Sequence, residues 1–502
     1  MSKNKQILIF SGIGLAVLGG VTAALMLTAP EKPAETEEPG TTVTEEDKSV
    51  KLTDKTEADV VQITVKNNSD EYVIVKGKES TDTETVWVIE GIEDANLLTS
   101  NIGSVVSNAA SLTANQLVEE NTADLGKYGL TVPEATVTVK YSDSEYTFLV
   151  GKEVPSSSSE VYFCEQGKNT VYTYSKSSLS GFSKNKFAYI DTAAVPAYNQ
   201  QAGEEVLKFT IERSDLEEPI VIEQIPPAED GQISVFTYEL TSPFNAYADL
   251  ANAPNFIYSL FGLTASEVAW FGMTEADYAL SGLNDPSCVF TLDTTLGSYT
   301  ITLGNPIVEE VSDDEGHVTK ELVGIYGMSS AVPDTLFRFN TDDIPAMTIQ
   351  AESIISELFL MPYIYSLESA EYTDNEGRSV TLGFETILAE EEGGTDEHKH
   401  YLNGELHEEQ RVKDLYQFFI SASGDELYFE EEKGELLATI TYNYTDKNEG
   451  KDVVQFYSSE TDRYVIINVN GENLFKTSQI YLTQLRSNVD NMLSGGEIVL
   501  TY

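Results

Sequence analysis

The sequence predicts an α+β protein with an N-terminal transmembrane helix, a stalk and three tandem repeats of mainly antiparallel sheet, each covered by a helix. One observation is a motif that recurs at a fixed offset within alternating apolar sequence. The other is an uncharged N-terminal segment followed by a stretch rich in Pro and Glu. The predicted boundaries are 1–29 for the cytoplasmic tip and anchor, 30–58 for the disordered acidic stalk, 59–200 and 201–366 for the first two repeats, and 367–502 for a degenerate third repeat.

The predicted anchor is a segment without a charged residue from position 7 to position 28, preceded by Lys3 and Lys5. About 20 apolar residues are enough to span a bilayer as a helix. Lysines before the segment and acids after it place the N-terminus in the cytoplasm. We therefore expect a single-pass protein of the cell membrane whose bulk is extracellular. The alternative is a cleaved secretory signal, although the apolar stretch exceeds the usual 7 to 15 residues of one.

Composition excludes several classes of protein. The 502 residues include 83 Asp and Glu against 30 Lys and Arg, which gives a net charge of −53. Nucleic acid is excluded as a partner, because phosphates need a basic face. Hydrophobic residues make up 41% of the chain, which is too many for disorder throughout. We expect Cys164 and Cys288 to be two buried free thiols, with a single bridge between them as the alternative.

The recurring motif is A-D-x4-G-L-x2-P, found at residues 123–133 and again 153 residues later. Gly151 and Gly304 follow at the same offset. In the first copy we expect Asp124 to cap a short helical turn, Gly129 to end it with a left-handed residue, Leu130 to fill the core and Pro133 to precede a strand. The corresponding residues of the second copy are Asp277, Gly282, Leu283 and Pro286. The alternative is a binding role for the paired acids.

Other elements recur around the motif. Alternating strands are predicted at residues 60–65 and 206–211, and helices at 96–112 and 247–263. In the third repeat we expect a helix at 412–420 and a strand at 438–442. This repeat lacks the motif, and Glu432 stands where its glycine would be.

Histidines supply the one candidate for metal chemistry. His398, His400 and His407 lie within ten residues among acids. On a strand the first two share a face, the kind of pair that zinc accepts, with His407 or a carboxylate as third ligand. A solvated hairpin is the competing interpretation. Arg411 stands where the second histidine of an H-E-x-x-H site is required, so a zincin is excluded, and no serine-hydrolase, phosphate-loop or dinucleotide motif occurs.

Part of the chain resembles a known family. The Trp87 strand, the helix after it, the loop at 124–133, the hairpin at 136–150 and Tyr162 together resemble the bacterial domain of unknown function 4340. The resemblance implies a membrane-anchored extracytoplasmic protein with repeated units and no established catalytic residues. Some members are encoded beside ABC transporters, which implies an accessory role.

We therefore expect a non-enzymatic, membrane-anchored extracellular binding or accessory protein that partners an ABC transporter or another component of the cell envelope. No catalytic residue and no cofactor is predicted. One alternative is a metal-binding protein or metal-dependent enzyme that uses the three histidines and a divalent cation. A second is a cell-wall or glycan binder, because the chain is rich in tyrosine.

Overall fold

A computed structural model describes residues 48–81, 85–226, 235–312, 318–389, 396–445 and 450–502. These residues form a sheet-rich fold, with three large antiparallel sheets and few helices. The predicted anchor, and the stalk up to residue 47, lie outside the described residues. None of the helices within the described ranges is long and apolar enough to cross a membrane.

The strands fall into three large sheets, apart from two short strands, β1 (Val50–Lys51) and β5 (Thr113–Ala114). Sheet 1 contains β2 (Val60–Asn67), β3 (Glu71–Lys76), β4 (Trp87–Ile89), β6 (Gln116–Glu119), β7 (Ala135–Tyr141), β8 (Glu145–Val154), β9 (Ser157–Glu165) and β10 (Val171–Ser175). Sheet 2 contains β11 (Val206–Arg213), β12 (Ile220–Gln224), β13 (Tyr238–Ser242), β14 (Ala246–Tyr247), β15 (Glu267–Phe271), β16 (Cys288–Thr294), β17 (Ser298–Ser312), β18 (Val318–Ser329) and β19 (Val332–Phe339). Sheet 3 contains β20 (Leu367–Asp374), β21 (Ser379–Ile387), β22 (Glu397–Leu402), β23 (Glu405–Leu406), β24 (Glu426–Leu427), β25 (Leu436–Tyr444), β26 (Lys451–Ser458), β27 (Tyr464–Val469) and β28 (Glu472–Ser478).

The α-helices of the described residues are α1 (Thr99–Ala110), α2 (Lys176–Leu179), α3 (Asn252–Tyr258), α4 (Glu275–Leu280), α5 (Glu409–Phe419) and α6 (Gln479–Ser494). Helix α1 packs its apolar side on sheet 1. Its residues Ile102, Val106 and Ala109 are fully buried in this contact. The facing side chains of β2 alternate in burial, as expected for a strand with one buried face.

The three sheets share one strand order. At the centre of each, the first strand pairs with the strand that follows the helix and its loop, as β2–β7, β11–β16 and β20–β25. On one side of this central pair, the sheet continues with the strands that follow the first strand in the chain. On the other side it continues with three successive strands joined by hairpins. The strand after the helix, β6, β15 or β24, closes that second side as its edge. Sheet 1 differs only in having no counterpart of the edge strands β14 and β23.

The helix over sheet 2 is shorter than the predicted 247–263. Tyr247 belongs to β14, where it pairs with Glu239 of β13, so the helix begins only at Asn252. The chain then leaves the helical conformation after Tyr258, and Gly262 adopts a positive φ of 71°. The apolar spacing at 259–263 therefore belongs to a turn that packs on the sheet, because Leu260 and Leu263 are buried.

Sheet 3 carries two helices where the sequence predicts one. Helix α5 corresponds to the predicted 412–420, and α6 packs beside it, with the rings of Phe418 and Tyr481 stacked 5.2 Å apart. Ser478 caps the start of α6 by accepting a hydrogen bond from Ile480, and Gly495 ends it with a φ of 82°. Both cysteines, Cys164 of β9 and Cys288 of β16, are buried and free.

Sheet 2 also carries a longer extension than the described residues of sheets 1 and 3 form. Strands β17 and β18 remain paired from Pro306 to Ser312, whereas the pairing of β17 with β16 ends at Leu303. We call residues 305–312 and 318–324 the arm. Eight residues of strand give the arm a length of roughly 25 Å. The corresponding strands of sheet 1, β8 and β9, are joined directly at residues 155 and 156.

Candidate functional site

The motif of sheet 1 is a capped turn packed on a strand. Asp124 Oδ1 accepts a hydrogen bond of 2.9 Å from the backbone N–H of Gly126, which begins a 3₁₀ turn at Gly126–Tyr128. Gly129 ends the turn with a φ of 73°, and Leu130 is buried beneath it. Pro133 lies two residues before β7. The carboxylate of Asp124 therefore has a local structural role.

The motif of sheet 2 reaches the same turn by a different cap. Here Thr274 and Asp277 form a capping box, in which Asp277 Oδ2 accepts the backbone N–H of Thr274 at 2.8 Å and Asp277 is the third residue of α4. Gly282 follows with a φ of 77°, Leu283 is buried, and Pro286 lies two residues before β16. The two aspartates thus occupy the same sequence position but make different local hydrogen bonds.

Gly151 and Gly304 keep the same 153-residue offset as the two motifs because each turn packs against one of these glycines. A Cβ on Gly151 would lie 2.4 Å from the carbonyl oxygen of Tyr128, and one on Gly304 would lie 2.0 Å from that of Ser281. The turn therefore rests directly on the backbone of the strand, at a distance that only glycine permits. The motif residues thus serve packing of the turn on the strand.

The histidines of β22 lie on one face of the strand, on either side of an aromatic ring. Tyr365 stacks on His398 at a centroid distance of 3.7 Å and meets His400 edge-on at 6.2 Å. His398 Nδ1 lies 3.1 Å from the hydroxyl of Thr386 on the neighbouring strand. His400 is 2% exposed, and its burial lowers the pKa of the imidazole below the ordinary value.

The backbone N–H of His407 donates a hydrogen bond of 2.9 Å to the backbone carbonyl of His400. The Nε2 atoms of His400 and His407 are both buried without a hydrogen-bond partner. Within the described ranges, no three His, Cys, Asp or Glu side chains form a group that could hold a metal ion. The histidine trio is thus not assembled as a three-donor site there, and metal binding stays a prediction.

A cleft opens beside these histidines, at the junction of sheets 2 and 3. It has a volume of about 520 Å³, within the range of small-molecule sites. We call it the tyrosine cleft, because five tyrosines line it together with Leu360, Pro362, Ile364 and Lys413: Tyr247 from β14, Tyr363 and Tyr365 from the segment before β20, Tyr416 from α5 and Tyr444 from β25.

The groups that line the tyrosine cleft are neutral or paired. Burial raises the pKa of Tyr416, Tyr444 and Tyr247, so these phenols stay protonated at neutral pH. At the rim Lys413 forms an ion pair of 2.5 Å with Glu409. Hydrogen bonds to Glu409 and Tyr365 raise the pKa of Lys413, and the same ion pair lowers the pKa of Glu409.

Local sequence patterns do not predict the tyrosine cleft. Its walls come from segments far apart in the chain, and Tyr363 and Tyr365 fall at the predicted boundary between two repeats. The available signal was the run Pro-Tyr-Ile-Tyr at 362–365, which is more aromatic than a solvated linker requires.

Residues 87–304 match the model of a family described as domain of unknown function, DUF4340. This part of the chain belongs to the DUF4340 family. The DUF4340 region runs from Trp87 of β4 to Gly304 of β17, so it contains both motif loops and stops where the arm begins. The three histidines, and all the tyrosines of the cleft except Tyr247, lie outside it. No curated protein and no solved structure matches the chain.

Proposed function

We propose that this chain is a non-enzymatic, membrane-anchored extracellular protein that binds a partner in the same membrane, such as an ABC transporter. The observation that supports this proposal best is the common strand order of the three sheets. We interpret the sheets as three copies of one unit, at 59–200, 201–366 and 367–502. A repeated scaffold whose copies differ at their edges is suited to presenting separate contact surfaces along one chain.

The arm is the edge feature best suited to contact a partner. Val308 and Leu322 lie opposite each other across its two strands and are 51% and 56% exposed. Apolar side chains on a projecting ribbon are unfavourable in water and are typical of interaction sites. Glu309, Glu310 and Glu321 flank them on the same two strands. The arm therefore suits an apolar groove with a basic rim on the partner.

Association with a membrane partner can be tested by co-purification of the full chain from membranes in mild detergents. The test variant replaces the arm by the two-residue connection that joins β8 and β9 in sheet 1. We expect the native chain to carry one membrane protein through purification, and the arm-less variant to lose it while its thermal unfolding is retained. Recovery of the native chain alone in every detergent, or equal recovery of the partner by both chains, would contradict the proposal.

Metal binding is a second candidate function, favoured by the two buried and unpartnered Nε2 atoms of His400 and His407. Calorimetric titration with zinc, nickel and calcium tests it. Saturable micromolar binding that disappears in His400→Ala would establish a metal site in this region. Titrations without saturable heat would eliminate it.

A further inference from the structure

Tyr363 presents an aromatic ring at the mouth of the tyrosine cleft. Its side chain is 53% exposed, and its ring meets that of Tyr365 edge-on at 5.4 Å. Tyr365 is itself held in place, because His398 stacks on it at 3.7 Å and the Lys413 ammonium lies 5.5 Å from its ring centroid. The exposed ring of Tyr363 thus rests against a fixed neighbour, which reduces the entropy that a ligand must remove on binding.

A second aromatic ring, that of Tyr247, also lines the cleft. Tyr247 stacks on Phe236 at 4.3 Å with an interplanar angle of 6°, so one of its faces is covered by Phe236. Tyr247 also lines the cleft, whereas Phe236 does not. The cleft therefore has aromatic surface from two parts of the chain, Tyr247 of β14 and Tyr363 of the segment before β20.

Lys413 lines the cleft, and its ion-pair partner Glu409 lies next to it. The Lys413 ammonium offers donors, and the Glu409 carboxylate 2.5 Å away offers acceptors. Inside the cleft, Tyr416 donates its hydroxyl to the carbonyl of Pro362, and Tyr444 donates to Asp452 at 2.6 Å. A ligand hydroxyl can donate to the carboxylate and accept from the ammonium at the same place. A ligand with many hydroxyls and apolar ring faces satisfies both the rim and the walls.

We propose that the tyrosine cleft binds a neutral oligosaccharide, whose C–H faces stack on Tyr363 and Tyr247 and whose hydroxyls bridge Lys413 and Glu409. The net charge of −53 opposes an anionic ligand. A proline-rich peptide also docks on aromatic grooves, but its prolines have no N–H to donate to Glu409. This site goes beyond the proposed partner function and needs no partner for its occupation.

The test is calorimetric titration of the purified full chain, in a detergent without a sugar head group, with neutral hexasaccharides of glucose and of N-acetylglucosamine. Polygalacturonate and a proline-rich decapeptide serve as comparison ligands. We expect saturable binding of a neutral hexasaccharide, weakened about tenfold by Tyr363→Ala through loss of ring stacking and retained in Tyr363→Phe. Tyr198→Ala, which removes a 38% exposed tyrosine ahead of sheet 2, is the matched control and should leave binding unchanged.

Three outcomes would overturn the inference. One is the absence of saturable binding by any neutral hexasaccharide. Another is equal affinity of the native chain and Tyr363→Ala. The third is binding of the anionic polymer or the proline-rich peptide in place of the neutral sugars. Because no partner is present in these titrations, each of these outcomes leaves the co-purification test of the proposed function standing.

Discussion

Replacing Gly304 by alanine should destabilise sheet 2, because the new methyl group would meet backbone atoms. The Cβ of the alanine would lie 2.0 Å from the carbonyl oxygen of Ser281 and 3.0 Å from its carbonyl carbon. The same oxygen accepts a 2.7 Å hydrogen bond from the N–H of Asn305. Gly304 does not have a positive φ, so backbone strain adds nothing to the predicted cost.

The cost has two parts. Forcing a methyl group into a closed contact typically costs about 1 to 3 kcal/mol. The displaced turn also loses or lengthens the hydrogen bond from Asn305, which adds about 1 kcal/mol. We therefore expect Gly304→Ala to lower the free energy of unfolding by about 2 to 4 kcal/mol. For a unit of about 150 residues this lowers Tm by about 5 to 15 °C.

Differential scanning calorimetry measures this shift, with two glycines as comparisons. Gly297→Ala is the control, because a Cβ there has no atom within 4 Å and its φ is ordinary; its Tm should stay near that of the native chain. Gly151→Ala should destabilise sheet 1 as Gly304→Ala destabilises sheet 2, because its Cβ would lie 2.4 Å from Tyr128. If the Tm of Gly304→Ala equalled that of Gly297→Ala, the contact of residue 304 with the Ser281 carbonyl would not limit stability.

Three other predictions follow from the fold and the sequence. Gly129→Val and Gly282→Val should each destabilise their own sheet by about 1 to 3 kcal/mol in urea unfolding, since both positions have positive φ, whereas Glu432→Val should change little. The pKa of His400 is lower in the folded chain than in the unfolded chain, so the unfolded chain is protonated first as the pH falls. The contribution of His400 to stability is therefore complete above a pH of about 6.5 and is lost as the pH falls through the folded pKa. Unfolding curves at pH 5 to 8 should show this pH dependence in the native chain and not in His400→Phe. Protease added to wall-free cells should cut within residues 30–47, because the rest of the predicted stalk is hydrogen-bonded to the folded part through Leu52 and Glu57. The soluble fragment should have roughly 460 residues; a fragment already free in the medium would indicate a cleaved signal.

Local patterns in the sequence were enough to predict the strands and the turn chemistry. The alternation at 60–65 and 206–211 fixes which residues of β2 and β11 are buried, because a strand has a period of two. Gly129 takes the predicted left-handed conformation, and Asp124 accepts the N–H of Gly126, because both depend on neighbouring backbone groups alone; the residue at the N-cap position of the turn is Leu125.

Tertiary pairing decided what the sequence could not predict. The helical spacing at 247–263 is interrupted because Tyr247 is recruited to the edge of sheet 2, which no local signal indicates. Helix α6 is different, because its buried residues recur at helical spacing between the N-cap Ser478 and the C-terminal Gly495, a local signal that was left unused. The tyrosine cleft joins residues 247 and 363, whose proximity depends on how two sheets meet.

Photocrosslinking in living cells shows whether the arm contacts a membrane partner. A photoreactive amino acid is placed at Val308 or Leu322 of the arm, or at Val132, which is 81% exposed in the loop before β7. We predict that both arm positions give an adduct with the same integral membrane protein and that position 132 gives none. The absence of an adduct from the arm, or the same adduct from position 132, would contradict the claim.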